Sequence, residues 1–174
     1  MIRTFTLAAM GAAGAIVLLA GCSHPPLPAP STNRPSPTAM VEAIRAARDR
    51  DKSVVQVTPL RNPSVDGYLD RAHADEDAGK YQDALDKLDA ALKLSPNAPD
   101  ILQFRAEIEI LLRNYPAADA DARRSYALGS KVGALCAGNW QTVLEIAQAN
   151  NNQAGAAFAR NAREQCHKAG PVRM

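Results

Sequence analysis

The chain repeats itself with a period of 34 residues. Shifting the sequence by 34 positions aligns identical residues at Asp66 and Asp100, Arg71 and Arg105, Ala72 and Ala106, Tyr81 and Tyr115, Ala84 and Ala118, and Leu94 and Leu128. A period of this length indicates helix pairs, because one pair cannot bury its apolar face without a neighbour. The alanines stand where two helices of a pair must approach closely, and the tyrosines stand beside the turn between them. The sequence therefore predicts an all-α fold of stacked helix pairs.

These repeats resemble the tetratricopeptide repeat family. The resemblance is plainest in the segment Gly79-Lys80-Tyr81-Gln82-Asp83-Ala84 and in the residues after it, which are Leu88, Ala91, Leu92, Leu94 and Pro96. A second repeat begins at Pro99 and has Arg113 where the turn glycine of the family stands. It reaches about residue 132.

A third copy appears when four extra residues are allowed after Leu128. Trp140 then takes the place of Leu102, Ala156 takes that of Ala118, and Gln153 replaces the tyrosine. Three units are about the minimum for a stable array. The resemblance thus implies a short tetratricopeptide-type helical solenoid of about three helix-turn-helix repeats over residues 65–168, with residues 169–174 as a tail.

The first residues resemble an export signal. Arg3 precedes an uncharged apolar run that ends in Leu19-Ala20-Gly21-Cys22. This ending resembles the lipobox of bacterial lipoproteins, which implies that residues 1–21 are a signal peptide and that Cys22 becomes a lipidated N-terminus. Ser23 follows, and in Gram-negative lipoproteins a residue other than Asp there implies a lipid anchor on the periplasmic face of the outer membrane. The alternative is an uncleaved transmembrane helix, against which three glycines in the run count.

A proline-rich tether is predicted over residues 22–37. Its six prolines (Pro25, Pro26, Pro28, Pro30, Pro35 and Pro37) exclude helix and sheet, so we expect a disordered spacer.

An uncertain region over residues 38–64 follows the tether. Thr38 predicts the N-cap of a short helix that ends at Arg50, with Val41, Ile44 and Ala47 on one face. Residues 53–60 predict either a strand-like arm along the repeats or an ordered loop.

Two cysteines remain when Cys22 is lipidated, and the predicted compartment oxidises thiols. The repeat geometry places Cys136 at the start of the first helix of the third pair and Cys166 at the end of the antiparallel second helix. A disulfide between them is therefore predicted, the alternative being two buried free thiols.

Catalytic and metal-binding motifs are missing from the sequence. The histidines have no metal-ligand spacing, and there is no phosphate-binding loop or nucleophile elbow. Asp75-Glu76-Asp77 is read as a solvated face rather than a cation site, because consecutive helix positions point in different directions. Lys and Arg number 20 against 18 Asp and Glu, too small an excess for a nucleic-acid binder. We therefore predict no enzyme activity, no cofactor, no metal and no nucleic-acid partner.

In the tetratricopeptide family, the first helix of each pair lines a concave groove that binds peptides or helices. Carried over by alignment, the predicted protein-binding groove consists of Asp66, Leu69, His73, Glu76, Asp77, Asp100, Gln103, Glu107, Ile110, Leu111, Gln141, Glu145 and Gln148. This set contains six carboxylates and no Lys or Arg, which favours a basic or amide-rich segment. Positive charge falls instead on second helices, at Arg123, Arg124, Arg160 and Arg163. The alternative is a solvated face without a dedicated ligand.

These features predict a membrane-anchored periplasmic adaptor or scaffold for envelope assembly or maintenance. Its partners would be other envelope proteins or extended, basic peptide segments. The alternative is a structural subunit that associates with itself or with another lipoprotein, because a short array leaves apolar ends unless a cap covers them. A third hypothesis, an accessory to a cell-wall hydrolase, has no catalytic residues here to support direct chemistry.

Overall fold

The computed structural model describes residues 34–51 and 60–168. These two ranges contain seven α-helices and no β-strand, which confirms the predicted all-α fold. The helices are α1 (Pro37–Arg50), α2 (Pro63–Asp77), α3 (Tyr81–Leu94), α4 (Pro99–Leu111), α5 (Tyr115–Leu128), α6 (Ala134–Ala149) and α7 (Gln153–Glu164). Among the described helices, none has the length and apolar character needed to span a bilayer.

Several predicted features lie outside the described residues. They are the signal peptide, Cys22, the tether up to residue 33, the extended arm except Leu60, and the tail over residues 169–174.

The turns inside the three helix pairs show the repeat register. Each contains a residue in the left-handed region, with φ of 71° at Gly79, 62° at Arg113 and 55° at Asn151. These positions are 34 and 38 residues apart (113 − 79 and 151 − 113), as the repeat with four extra residues predicts. The next amide in each turn donates to a carbonyl five residues back, at 2.7 to 2.8 Å. This bonding pattern ends all three first helices in the same way, although only the first turn has a glycine.

Small residues lie where the helices of a pair approach each other. Ala84 and Ala118 are fully buried and Ala156 is nearly so, as the repeat predicts. The first pair and α4 share one apolar cluster, which includes Leu88 and Ile108. A larger cluster joins α1 to α4, α5, α6 and α7. Both clusters include buried residues of α4, and the partly buried Leu111 packs against each of them.

Arg105 links the first two repeats. Its guanidinium donates two hydrogen bonds to the Asp121 carboxylate on α5, at 2.6 and 2.7 Å, and one to Asp89 on α3, at 2.7 Å. These carboxylates raise the pKa of Arg105, with the hydrogen bonds to Asp121 as the largest cause. Such bidentate pairs fix the geometry as well as the charge.

Helix α1 packs onto the repeats and begins earlier than predicted. Thr38 is not its N-cap: the hydroxyl of Ser36 accepts the amide of Ala39, and Pro37 is the first helical residue. Proline suits this position, because its ring fixes the required φ and no amide is needed there. The predicted face is correct, since Val41, Ile44 and Ala47 are buried. α1 contacts α6 most extensively and also touches α4.

Candidate functional site

The predicted groove residues lie on the first helices α2, α4 and α6, which we call the first-helix face. Those on α2 are the most accessible, with Asp66, His73 and Asp77 exposed and Leu69 and Glu76 partly buried. On α4, Asp100 and Leu111 are partly buried, whereas Gln103, Glu107 and Ile110 are buried. On α6, Gln141 and Glu145 are buried and Gln148 is exposed.

Helix α1 accounts for the burial on α4 and α6. It can approach α6 closely because position 138 is glycine, and a Cβ built there would lie 2.7 Å from Cγ and Cδ of Arg48. Residues at the start of α6 therefore meet the end of α1, so the two helices run antiparallel. The part of the first-helix face that lies on α6 is therefore packed against α1 and is not an open groove.

Glu107 forms ion pairs with two arginines of α1. Arg45 Nε lies 2.8 Å from Glu107 Oε2, and Arg48 Nη1 lies 3.2 Å from Oε1. The amide of Gln103 also donates to Glu107, and it reaches the hydroxyl of Thr142 on α6 at 2.9 Å. With its side chain only 1% exposed, Glu107 needs these partners, since an unpaired buried charge is strongly destabilising.

Arg45 extends the same network to α2. Its Nη2 lies 2.6 Å from Glu76 Oε1, and His73 Nδ1 lies 3.7 Å from the other oxygen of this carboxylate. Burial alone would raise the pKa of Glu76, but the neighbouring His73 and the charge and hydrogen bond of Arg45 outweigh it and lower the pKa. Burial likewise opposes the charge of Arg45, yet Glu107 and Glu76 raise its pKa. Both groups are therefore held in their charged forms.

These contacts differ from two predictions made from the sequence, the charge of the groove and the exposure of Glu76. The predicted residues contain no Lys or Arg, but α1 supplies Arg45 and Arg48 to the same face, and Arg61 pairs with Asp100. Glu76 was also expected on a solvated face, whereas its side chain is 9% exposed because Arg45 covers it. The face is therefore of mixed charge near α4 and acidic only along the exposed part of α2.

A cleft of about 360 Å³ remains open between α1, α2 and α4, and we call it the α1–α4 cleft. The residues that line it are Arg45, Arg48, Asp49, Arg61, Leu69, His73, Asp100, Ile101, Phe104 and Glu107. His73 and Phe104 stack with ring centroids 4.2 Å apart and planes 19° apart. The cleft thus combines an aromatic wall with charged groups of both signs.

Sequence reasoning missed Arg45, Arg48, Asp49, Arg61, Ile101 and Phe104 at this cleft. The α1 arginines follow the buried Ile44 and Ala47 by one residue each, so they flank the apolar face of a packed helix. The sequence could have indicated these arginines from that spacing. Side chains that flank the apolar face of a helix packed on the repeats lie next to the repeats.

Cys136 and Cys166 form a disulfide with their Cα atoms 5.6 Å apart. It joins the first turn of α6 to the second residue after α7, and both cysteines are buried. The amide of Gly133 donates to the carbonyl of Cys166 at 2.8 Å, which adds a backbone contact at the same place. The disulfide and this hydrogen bond therefore join α6 and α7 at the end of the pair opposite their turn.

Within the described ranges, no three His, Cys, Asp or Glu side chains are grouped so that they could hold a metal ion.

A matched pair of glycine variants tests the close approach of α1. Gly138→Ala is expected to lower the free energy of unfolding by about 1 kcal/mol, because over-packing against Arg48 outweighs the helix gain. Gly67→Ala on α2 should raise it by about 0.5 to 1 kcal/mol, since its Cβ would meet nothing closer than 3.9 Å. Urea denaturation measures both, and shifts of the same sign would contradict the packing described here.

The chain is similar to proteins of known fold. Residues 65–108 match the tetratricopeptide repeat family. The solved structure of the globular C-terminal domain of LpoP from P. aeruginosa is similar with a TM-score of 0.57 and 25% sequence identity, over 60% of this chain and 99% of that one. No curated protein sequence matches significantly. These similarities agree with the tetratricopeptide-type helical array described above.

Proposed function

We propose that this chain is a membrane-tethered adaptor that binds another envelope protein at the α1–α4 cleft. The observation that carries the proposal is the cleft itself, an accessible hollow on the first-helix face with an aromatic wall and charged rims. Pockets of this mixed character suit extended peptide segments, whose apolar side chains enter the hollow while charged ones meet the rim.

The exposed carboxylates of α2 favour a basic segment. The exposed charged residues of α2 are the three carboxylates Asp66, Asp70 and Asp77 against the single cation Arg71. A basic segment would therefore be attracted to this end of the array and would approach faster at low salt. Such a segment would run along α2 and place an apolar side chain beside His73 and Phe104.

The lipobox-like ending at Cys22 supports the membrane tether. Acylation of this residue would hold the chain at the periplasmic face of the outer membrane, and the proline-rich segment would set its reach. The similar solved structure is described as a globular C-terminal domain. That description agrees with a folded module that follows an N-terminal segment.

Self-stacking of the array is a weaker explanation. Ile101, Phe104 and Ile108 of α4 pack against the preceding repeat, and the equivalent residues of α2 are Gly67, Asp70 and Ala74. Asp70 and Ala74 are exposed, so this end presents small and polar side chains. A second copy stacked there would desolvate a carboxylate without an apolar gain.

Site-specific photo-crosslinking in cells tests the adaptor proposal with the full chain. A crosslinking residue at Leu69, inside the cleft, is expected to give a discrete product with one envelope protein. The double charge reversal Asp66→Lys and Asp77→Lys should weaken that product at least several-fold, because a basic segment would be repelled. Cys22→Ser should move the protein out of the membrane fraction.

Crosslinking from Ala127, an exposed residue on α5, is the control. The proposal fails if Leu69 gives no discrete product, or if Ala127 gives the same product with equal yield. It also fails if charge reversal on α2 leaves the Leu69 product unchanged.

A further inference from the structure

A second cleft, with a volume of about 410 Å³, lies between the start of α5, the end of α6 and the start of α7, and we call it the α5–α7 cleft. Its floor consists of Val143, Ile146 and Ala147 on α6, which are all buried. Tyr115 and Pro116 of α5 also line it. The residues that line this cleft are all different from those of the α1–α4 cleft. It is therefore a separate hollow with an apolar floor.

The corresponding place between the first and second repeats is covered by two leucines. The repeat register aligns Asp119 with Leu85. It likewise aligns Asn150 with Leu112. Both leucines are partly buried and pack against the apolar cluster that includes Ile108. Because Asp119 and Asn150 are polar, the floor of the α5–α7 cleft lacks the apolar cover that the leucines provide one repeat earlier.

A long side chain that crosses between the first two repeats also has no counterpart here. Arg105 of α4 reaches Asp89 on α3 and Asp121 on α5 with its guanidinium. The residue of α6 that is equivalent to Arg105 is Val143. A valine cannot span the same distance, so the hollow stays open beside it.

The rim of the α5–α7 cleft offers hydrogen bonds but little net charge. Asp119 forms an ion pair with Arg123 at 2.7 Å, so the two charges of the rim compensate each other. Asn150 and Asn152 supply amide groups. The side-chain oxygen of Asn152 accepts the backbone amide of Gly155 at 2.9 Å, which leaves its NH₂ group for a ligand. A Cβ at position 155 would lie 2.6 Å from that nitrogen, so glycine makes room for the amide.

Tyr115 adds a hydroxyl group that is not satisfied within the protein. This oxygen is buried and has no hydrogen-bond partner in the described part of the chain. Such groups are rare in folded proteins, because a buried polar atom without a partner costs free energy. A ligand that accepts a hydrogen bond from Tyr115 in the cleft would remove this cost.

We propose that the α5–α7 cleft binds an uncharged, extended segment of a partner protein, which places an aliphatic side chain on the floor and a backbone carbonyl at the Tyr115 hydroxyl. The aliphatic class follows from the first two repeats, where leucines take the same place. The lack of charge follows from the rim, because a charged ligand would be attracted by one of Asp119 and Arg123 and repelled by the other. An apolar hollow with a few polar groups at its edge is typical of such binding sites.

A random heptapeptide library displayed on phage tests the proposal with the full chain in detergent. Peptides are selected on the parent chain and depleted on the double variant Asp119→Leu and Asn150→Leu. This variant places the leucines of the first two repeats at the equivalent positions and so closes the cleft. We expect the remaining peptides to be uncharged and to share a Leu, Ile, Val or Met. Circular dichroism checks that the double variant is folded.

Synthetic forms of the selected peptides are then titrated into the variants. The double variant should bind them about tenfold or more weakly, because the aliphatic side chain can no longer be buried. Tyr115→Phe should weaken binding about threefold to tenfold, the effect of one lost hydrogen bond. Tyr81→Phe, at the equivalent tyrosine of the first repeat, is the matched control and should change nothing.

The proposal is overturned if no peptide distinguishes the parent from the double variant, or if the selected peptides are charged. It is also overturned if Tyr115→Phe and Tyr81→Phe have equal effects on binding. Basic peptides that bind the double variant and block crosslinking at Leu69 would belong to the α1–α4 cleft. Their recovery alone would support the adaptor proposal and contradict this one.

Discussion

Ile44→Ala is expected to lower the free energy of unfolding by about 2 to 5 kcal/mol, the range for removing a large buried aliphatic side chain. Ile44 is fully buried and belongs to the cluster that includes Trp140 and Ile110. A loss of this size would mean that α1 is part of the core. Urea denaturation followed by circular dichroism measures it, with the slope against urea showing whether the transition remains two-state.

Glu42→Ala provides the control for this prediction. Glu42 lies on the exposed side of the same helix, so its removal should change stability by less than about 0.5 kcal/mol. If Ile44→Ala were equally mild, α1 would be a loosely attached segment, and the first-helix face of α6 would then be open to ligands. The two variants therefore decide how much of the predicted groove a partner can reach.

The role of α1 also explains why the fold could be predicted better than the site. The repeats can be recognised from the sequence alone, because Ala84 and Ala118 must be small and Tyr81 and Tyr115 stand beside equivalent turns. Helix termination at Arg113 and Asn151 was harder to read, yet the 34-residue register placed these turns without a glycine. Fold class, helix order and repeat number follow from such short-range constraints.

The chemistry of the groove depends instead on contacts between distant parts of the chain. Arg45 and Glu107 are 62 residues apart, and Arg48 and Glu107 are 59 apart. Alignment to a repeat identifies Glu107 as a face residue but cannot show that a helix preceding the repeats covers it. The predicted acidity of the groove therefore took account of α2, α4 and α6 only. The arginines of α1 give the face near α4 a mixed charge instead.

A non-repeat helix on the repeat face has a functional consequence. Because Arg45 bridges Glu107 and Glu76, α1 couples α4 to the end of α2. A ligand in the α1–α4 cleft would contact residues on both sides of that bridge. Binding there would thus be sensitive to changes that shift α1 without touching the ligand, such as Gly138→Ala on α6, whose Cβ would meet Arg48.

Removal of the disulfide is expected to lower the free energy of unfolding by about 3 to 4 kcal/mol. Cys136 and Cys166 are 30 residues apart, and closing a loop of this length restricts the unfolded chain by about that amount. The double variant Cys136→Ala and Cys166→Ala avoids placing a hydroxyl among buried apolar groups. Denaturation of the oxidised protein and of this variant gives the difference.

Reduction separates the bond from the substitution. Dithiothreitol should lower the stability of the parent chain by a similar amount and leave the double variant unchanged. If the parent were unfolded in dithiothreitol, which exposes the bond to the reductant, and still showed its original stability, the two thiols would be unpaired and the loss in the variant would come from packing alone. The expected loss matters because the third pair lacks the tyrosine of the others, with Gln153 in its place, and turns at Asn151 rather than at glycine. A covalent link between α6 and the residues after α7 therefore stabilises the repeat whose turn and packing depart most from the pattern of the first.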